Sequence, residues 1–434
     1  MSLPTQPYKG SRDFYPEDKR LQKYMFSVMR SVVERFGYEE YDAPILEPLE
    51  LYLAKTGEEI VKEQTYTFED RGKRKVAIRP EMTPSVSRMV AARRQELPYP
   101  LRWYSIPNLW RYERPQKGRL REHWQLNVDI FGVDDLVAEM EIIQIAYEIM
   151  MAFGSKSEMF TIKLNSRQVM DFIIKEHVGV DPEKLSAVNH LIDRKNKMES
   201  SEFEAALQDI LGDGDESKAK IEKLKGVLGA RTLADLPATA HDLSYFKELE
   251  KLFDLLRHQG IVNLEFDPTL VRGFDYYTDI VFEIFDNHPE NNRSMFGGGR
   301  YDGLVGLFGV EAIPTVGFGM GDVTMQNFLE LHNLLPGLST ETDVCVIMFE
   351  DVREPALKVV AELRSKGIRV AVDWTDRKAD KAIKSALKKS IPYVLFIGQR
   401  EVVDNRYTLK ELSSSHEEKL GVDQIAERIK KGRR

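Results

Sequence analysis

The sequence predicts an α+β chain in two parts: an antiparallel sheet with flanking helices and a helical insertion, followed by a smaller α/β domain. Three observations carry this. The strand-like runs YTFED, KVAIRP, LRWYSI and WQLNVDIFG follow one another with turn residues between them, which suggests antiparallel pairing rather than a βαβ series. Strand patterns stop at a charged, helix-rich stretch and resume after it. Beyond a Pro/Gly/Ser/Thr-rich segment at 333–342, strands and helices alternate strictly.

Residues 20–36 read as an amphipathic helix, since Leu21, Tyr24, Met25, Val28, Val32 and Phe36 recur at helical spacing and Gly37 can stop it. Residues 135–153 repeat the pattern with Met140, Ile143, Tyr147 and Met150. After the strand TIKLN, residues from about 170 to 255 are expected to form the inserted helices, with EKLSAVNHLIDRK, SSEFEAALQDIL and ESKAKIEKLKGVL presenting solvated charged faces. VNLEF, VRGFDYYTDIVFEIF, MFGGGRYDG and VGFGMG return to strand and turn, so residues 1–330 are expected to be one interrupted domain. A linker at 331–342 leads to a second domain, 343–434. There VCVIMF, a helix at 353–366, IRVAVDW, a helix at 377–389 and PYVLFIG predict a small parallel or mixed sheet. Trp374 is expected to pack at a strand end.

At 434 residues with 42% hydrophobic content, the chain can bury a core without disulfides or structural metal. Its one cysteine, Cys345, lies in an apolar run, which predicts a buried thiol and a reducing compartment. No apolar run is long enough to span a membrane, and MSLPTQPYKG lacks a signal-peptide core, so a cytoplasmic protein is expected. The net charge of -8 argues against bulk coating of nucleic acid. It leaves room for local basic patches, because charges are screened beyond about 8–10 Å.

One such patch is RYERPQKGRLREHWQ, Arg111 to Gln125, which reads as strand, turn, strand with Pro115 and Gly118 in the turn. It is either a solvated hairpin tip or a grip on phosphates, for which the arginine fork is suited. Arg272 precedes an apolar strand, where a guanidinium requires an anionic partner. FGGGRYDG sets three glycines beside Arg300 and Tyr301, as either a hairpin turn or a close approach to ligand. IRPEMTP offers Glu81 and Thr83 for an ammonium group, or Thr83 as a helix cap. The histidines are scattered, His123 has no ligand partner at metal spacing, and no metal site is assigned to protein side chains.

Together KGSRDFYPED, APILEPLELYLAKTGEE, TYTFEDRGKRKVAIRPEMTPSVSRMV, WRYERPQKGRLREHWQLNVDIFG, LVRGFDYYTDIVFE and GGGRYDGL resemble the histidyl-tRNA synthetase family of class II aminoacyl-tRNA synthetases, in order over residues 8–320. The C-terminal part is similar to that family's anticodon-binding domain. The resemblance implies a homodimer using L-histidine, ATP with Mg2+, and histidine tRNA, with Pro44 of APILEP at the dimer interface. It implies that Glu81, Thr83 and Gln125 face the amino group of histidine, that Asp129 and Tyr277 read its imidazole with Tyr276 beside them, and that Tyr301 closes the pocket. The family commonly carries Glu where Asp129 stands, which implies a hydrogen bond of shorter reach.

For ATP, the resemblance implies Arg111 and Arg121 on the phosphates, Glu113 on adenine and Arg272 between the substrate carboxylate and the α-phosphate; Arg300 joins the ATP set as a cation that can stand in for a missing phosphate contact. Arg111 and Arg272 are thus the catalytic pair. Arg114, Gln116, Lys117 and Arg119 are implied at the tRNA acceptor end. One departure stands out. Where the family commonly ends this domain in Gly-Leu-Glu-Arg, this chain has Gly321, Asp322, Val323 and Thr324, so the arginine on the γ-phosphate side is missing. Asp322 reads as a turn residue or as an Mg2+ or ribose contact and stays outside the catalytic set. The alternative function is the regulatory paralogue of ATP phosphoribosyltransferase, which binds histidine without charging tRNA and usually lacks both the anticodon-binding domain and the catalytic arginine.

Overall fold

The computed structural model describes residues 3–53, 64–116, 118–195, 198–270, 276–291, 293–349, 352–375 and 378–433. The chain divides into two compact units, Met1–Leu335 and Pro336–Arg434. Among the described residues of the first, nine strands form one sheet. The order is Glu39–Glu40, Leu101–Ser105, Glu122–Phe131, Thr315–Gly321, Ser294–Arg300, Ile280–Asp286, Phe160–Ser166 and Leu264–Phe266, with Asn108–Trp110 paired to the start of Glu122–Phe131. The central pairings are antiparallel, as expected, and the outermost pairing at each edge is parallel.

Side chains alternate across this sheet with period two. Leu126, Val128 and Ile130 point to one face and join a core with Met25, Met29, Val32 and Val33 of helix Pro16–Arg35 and Ile142, Ile145 and Ile149 of helix Val137–Ala152. Full burial of each such side chain contributes about 1.5–3 kcal/mol. Gln125 and Asp129 lie on the opposite face, and that face holds the candidate site.

Two strand runs sit elsewhere than expected. Thr67–Glu69 and Lys75–Ile78, from YTFED and KVAIRP, leave the large sheet and form a separate sheet of three strands, in which Lys75–Ile78 pairs with Leu46–Pro48 on one side and Thr67–Glu69 on the other. Thr67–Glu69 is exposed along its length, so it lacks the apolar face a central strand needs. The charged stretch forms helices Leu185–Arg194, Ser200–Leu211, Asp215–Leu228 and Ser244–His258. The last packs on Val137–Ala152 and on strand Phe160–Ser166, and Leu249, Leu252 and Leu256 enter the sheet's core.

The second unit has a five-stranded mixed sheet, ordered Val370–Val372, Val344–Met348, Tyr393–Ile397, Tyr407–Glu411 and Glu417–Leu420, the first three parallel. Helices Arg353–Ser365, Ala379–Lys388 and Val422–Gly432 accompany it, and Cys345 is buried. Asp343 accepts hydrogen bonds from Arg369 (Nη2, 2.6 Å) and Arg433 (Nε, 2.9 Å). Burial works to raise its pKa, yet these bonds hold its carboxyl well below the usual carboxylate range. Trp374 corrects the sequence reading: it lies past the end of the edge strand Val370–Val372, whose valines join the core, and it is 59% exposed.

Candidate active site

The polar face of the large sheet has a floor of main chain. Gly297 and Gly299 pair with Gly319 and Gly317 on the next strand. A Cβ on Gly317 would lie 2.0 Å from a carboxylate oxygen of Asp129, and one on Gly319 would lie 2.8 Å from the amide of Gln125. On Gly299 it would meet the Tyr277 ring at 3.0 Å. Only glycine lets these three side chains lie down against the backbone.

Tyrosines wall the site. Tyr276 lies 4.8 Å from Tyr277 and 5.6 Å from Tyr301, centroid to centroid. The Tyr301 hydroxyl donates to Asp129, and the Tyr276 hydroxyl donates to Glu81 Oε2 at 3.3 Å. Two buried carboxylates, from segments 48 positions apart in the chain, are thereby tied to one aromatic cluster. Burial pushes the Asp129 carboxyl up to about 7, and the Tyr301 hydrogen bond pulls it back only in part. Burial and the neighbouring Asp129 charge push the Tyr301 phenol well above its usual value. Thr83 is not a helix cap. Helix Thr83–Ala92 has Met82 at its N-cap with no side-chain cap bond, and Thr83 stays half-buried beside Glu81.

The arginine stretch is a hairpin. Arg111 N–H donates to Arg121 O at 2.8 Å, and Gln116 and Arg119 exchange two backbone hydrogen bonds at the tip around Gly118, whose φ is +81°. The Gly10 carbonyl, from KGSRDF, accepts from the amides of Arg121 and Glu122, so the N-terminal segment straps one arm. Arg111 Nε donates to Pro80 O at 2.9 Å, next to Glu81. Arg121 donates to Glu113 O and to the Tyr8 hydroxyl, each at 3.0 Å, and its guanidinium carbon lies 3.9 Å from the Tyr112 ring centre. Arg119 reaches Glu113 Oε2 at 3.7 Å. Burial, then the Arg111 and Arg12 charges, push His123 down to about 3, so it stays neutral near pH 7. Arg114, Gln116 and Arg119 are exposed, while Lys117 and Arg272 lie outside the described residues.

Arg300 is a correction. It pairs across from Val316 on the helix-covered face, and its guanidinium bonds Glu139 of helix Val137–Ala152 at 2.5 and 2.8 Å, away from the glycine floor. It leaves the ATP set. Asp322 takes its structural reading: one oxygen accepts from Trp124 N–H at 2.9 Å and the other from Arg12 at 2.7 Å. Among the described residues, no group of three or more His, Cys, Asp or Glu is placed to hold a metal ion. Sequence reading missed Tyr8 and Tyr112 around Arg121. It also missed Tyr41, whose phenol burial and then the Asp129 charge raise well above its usual value.

An arginine hairpin facing the open side of an antiparallel sheet, joined to a separate α/β unit, defines the chain as a class II aminoacyl-tRNA synthetase with an anticodon-binding domain. The chain belongs to the histidyl-tRNA synthetase family, whose profile matches residues 10–322, and the anticodon binding domain profile matches residues 343–432. It is 44% identical over 430 residues to histidine–tRNA ligase of Leptospira biflexa, covering 99% of this chain and 98% of that one. It is 36% identical over 417 residues to the Haloarcula marismortui ligase, covering 94% of each. In fold it matches histidyl-tRNA synthetase from Nostoc sp. PCC 7120 with a TM-score of 0.81, at 24% identity over 99% of this chain and 100% of that one. It also matches an ATP phosphoribosyltransferase regulatory subunit/histidyl-tRNA synthetase from Bacillus halodurans with a TM-score of 0.73, at 21% identity over 92% of this chain and 100% of that one.

Proposed function

We propose that this chain joins L-histidine to histidine tRNA in two steps. In the first, a histidine carboxylate oxygen attacks the α-phosphorus of ATP, the bond to the β-phosphate breaks, and pyrophosphate leaves as histidyl-adenylate forms. The carboxylate is already a nucleophile, so no general base is required. In the second, the 3′-hydroxyl of the terminal tRNA adenosine attacks the histidyl carbonyl and AMP leaves. Mg2+ enters with ATP as part of the substrate, neutralising the phosphate oxygens.

Glu81, Thr83 and Gln125 hold the ammonium group in this reading; Asp129 and Tyr277 meet the ring nitrogens, Tyr276 braces Glu81, and Tyr301 closes the pocket over Asp129. Arg111 meets the α-phosphate, Glu113 the adenine, and Arg121 the γ-phosphate side. Arg272 completes the charge balance at the carboxylate and α-phosphate. Arg114, Gln116, Lys117 and Arg119 meet the tRNA acceptor end. The observation that carries the reading is the buried, tyrosine-braced pair of carboxylates Asp129 and Glu81 beside the Arg111 arm of the hairpin. Such a polar pocket selects a ligand with an imidazole and an ammonium, because any other leaves buried groups unpaired.

Histidine-dependent exchange between ATP and pyrophosphate tests the first step, and charging of a histidine tRNA transcript tests the second. Absent exchange with intact histidine binding favours the regulatory paralogue instead.

A homodimer fits the exposed apolar surface around Pro44, where Ile45, Leu46 and Phe68 are 47%, 44% and 47% exposed. Leu46→Asp is expected to shift the protein from dimer to monomer in analytical ultracentrifugation; an unchanged sedimentation coefficient excludes this face. In the anticodon-binding domain, exposed Trp374 serves as a stacking surface for an unpaired base. Trp374→Ala is expected to raise the KM for tRNA roughly tenfold, within the about 1–3 kcal/mol of base stacking. Pyrophosphate exchange, which needs no tRNA, stays at the wild-type rate. No helix among the described residues is long and apolar enough to cross a membrane, in keeping with a cytoplasmic place of work.

A further inference from the structure

We propose that Tyr8, on the N-terminal segment, is a positioning residue for ATP: it holds the Arg121 guanidinium in the plane in which that group meets the terminal phosphates. The proposal rests on the reading of Arg121 as the cation on the γ-phosphate side, and it adds a residue that neither motif nor resemblance assigned.

An arginine is among the side chains with most rotamer freedom to lose when it is fixed on a ligand. A site that fixes it beforehand binds without that loss. Arg121 is fixed from three directions. Its Nε donates to the Glu113 carbonyl and its Nη1 to the Tyr8 hydroxyl, each at 3.0 Å. Two bonds from different nitrogens of one planar group set both its plane and its rotation within that plane. The Tyr112 ring covers its face, with the ring centre 3.9 Å from the guanidinium carbon, and the Tyr8 ring centre lies 5.6 Å from the same carbon. Glu113 is the residue read as meeting adenine, so the main-chain anchor of Arg121 sits on a residue of the proposed ATP set.

Glu113 and Tyr112 belong to the hairpin and move with it, whereas Tyr8 arrives from 113 positions away. Its own place is secured. The Tyr8 carbonyl accepts from the Ser11 amide at 2.9 Å and from the Ser11 hydroxyl at 2.6 Å. Its hydroxyl accepts from the Tyr66 hydroxyl at 3.4 Å, and the Tyr66 ring lies 5.4 Å from that of Tyr112, so Tyr66 links the two tyrosines that hold Arg121. From Tyr8 onward the even-numbered residues lie along the hairpin arm. Gly10 accepts from the amides of Arg121 and Glu122, the Arg12 amide donates to Glu122 Oε2 at 3.4 Å, and Phe14 packs edge-on against Trp124 at 5.2 Å. Gly10, at φ +87°, leaves no slack: a Cβ there would lie 2.7 Å from Cγ and 2.9 Å from Cδ of Arg121. The segment is thus shaped around the stem of this arginine before Tyr8 reaches its head. Tyr8 is nevertheless 53% exposed, so it contributes little to the core, and its hydroxyl acts on Arg121.

The test compares full-length wild type, Tyr8→Phe, Arg121→Ala and the double variant, each first checked for wild-type thermal unfolding. Calorimetry gives the Kd for ATP, for histidine and for AMP, which lacks the terminal phosphates. Tyr8→Phe keeps the ring and removes the hydroxyl, and is expected to weaken ATP binding about 3- to 10-fold, as loss of one hydrogen bond does. The Kd values for AMP and histidine stay near wild type. Arg121→Ala weakens ATP binding by itself, and adding Tyr8→Phe to it brings no further loss, because no guanidinium is left to position. Unchanged or tighter ATP binding in Tyr8→Phe overturns the proposal, and so does a further loss in the double variant. Equal weakening of ATP, AMP and histidine overturns it in favour of a packing role. Should Arg121→Ala unfold early, Arg121→Lys serves as the background, since an ammonium cannot span the Glu113 and Tyr8 oxygens as a planar fork does. Wild-type ATP affinity in Arg121→Ala instead defeats the reading of Arg121 on the phosphates, and is thereby told apart from a failure of Tyr8 alone.

Discussion

Asp129→Asn is expected to lower kcat/KM for histidine about 100-fold while raising the folding stability of the chain at pH 8. In the proposed role Asp129 is a charged acceptor of an imidazole N–H, and the amide has a weaker pull on that proton, a difference of about 1.5–3 kcal/mol. The stability rises for the reason that made the residue useful. Burial pushes its carboxyl up to about 7 in the folded chain, whereas an unfolded aspartate titrates near about 3.9. Between these values the native state keeps a proton that the unfolded state has released. Stability therefore falls as pH rises from about 4 to about 7 and is level above that. At pH 8 the wild type carries the whole cost of a buried charge, on the order of 4 kcal/mol, and the amide does not. Thermal unfolding at pH 5 and pH 8 reads this directly: the wild type loses stability between them and the variant loses much less. The kcat/KM profile for histidine carries a limb near pH 7 that the variant lacks, leaving the limb of the substrate imidazole near about 6.5. A variant less stable at pH 8, or an unaltered limb, would contradict the role given to Asp129.

Arg300→Ala is expected to destabilise the catalytic unit by about 3–5 kcal/mol, because it leaves Glu139 buried and unpaired. Glu139 is 2% exposed; burial raises its pKa, and the Arg300 bonds pull it part of the way back. Removing the partner removes that restraint. Chemical denaturation measures the loss, and the KM for ATP of the folded variant is expected to match wild type. A variant with Arg300→Met and Glu139→Leu together should regain most of the stability, since apolar residues of similar volume often replace a buried pair without cost. A raised KM for ATP at unchanged stability would return Arg300 to the nucleotide.

Arg300 also marks the boundary of what the sequence makes legible. The α+β class follows from local periodicity, and the hairpin of RYERPQKGRLREHWQ from its turn residues, because both are written within a few positions of each other. Arg300 and Tyr301 are neighbours in FGGGRYDG, and reading the motif as one unit sends both to one pocket. Tyr301 meets Asp129 while Arg300 meets Glu139 on the other face. The signal was present in the period of a strand, which sends adjacent side chains to opposite sides. For Tyr8 no local signal exists. It meets Arg121 across 113 positions of chain, and nothing near either residue announces the other. The separate sheet of Thr67–Glu69 and Lys75–Ile78 is obscure for the same reason: a strand's pattern states that it will pair, and the partner is chosen by distant burial.

The four glycines under the pocket give that distinction a practical edge. A cavity lined by side chains can be reshaped one rotamer at a time, but a floor of peptide planes moves only when the strands themselves move. Its depth is set by the ladder that holds Ser294–Arg300 to Thr315–Gly321. A slip of one residue in that ladder would bring Phe318 to where Gly317 lies, into the place the Asp129 carboxylate takes. The placement of Asp129 is thus a readout of correct strand pairing: a chain that has mispaired these two strands has nowhere to put that carboxylate.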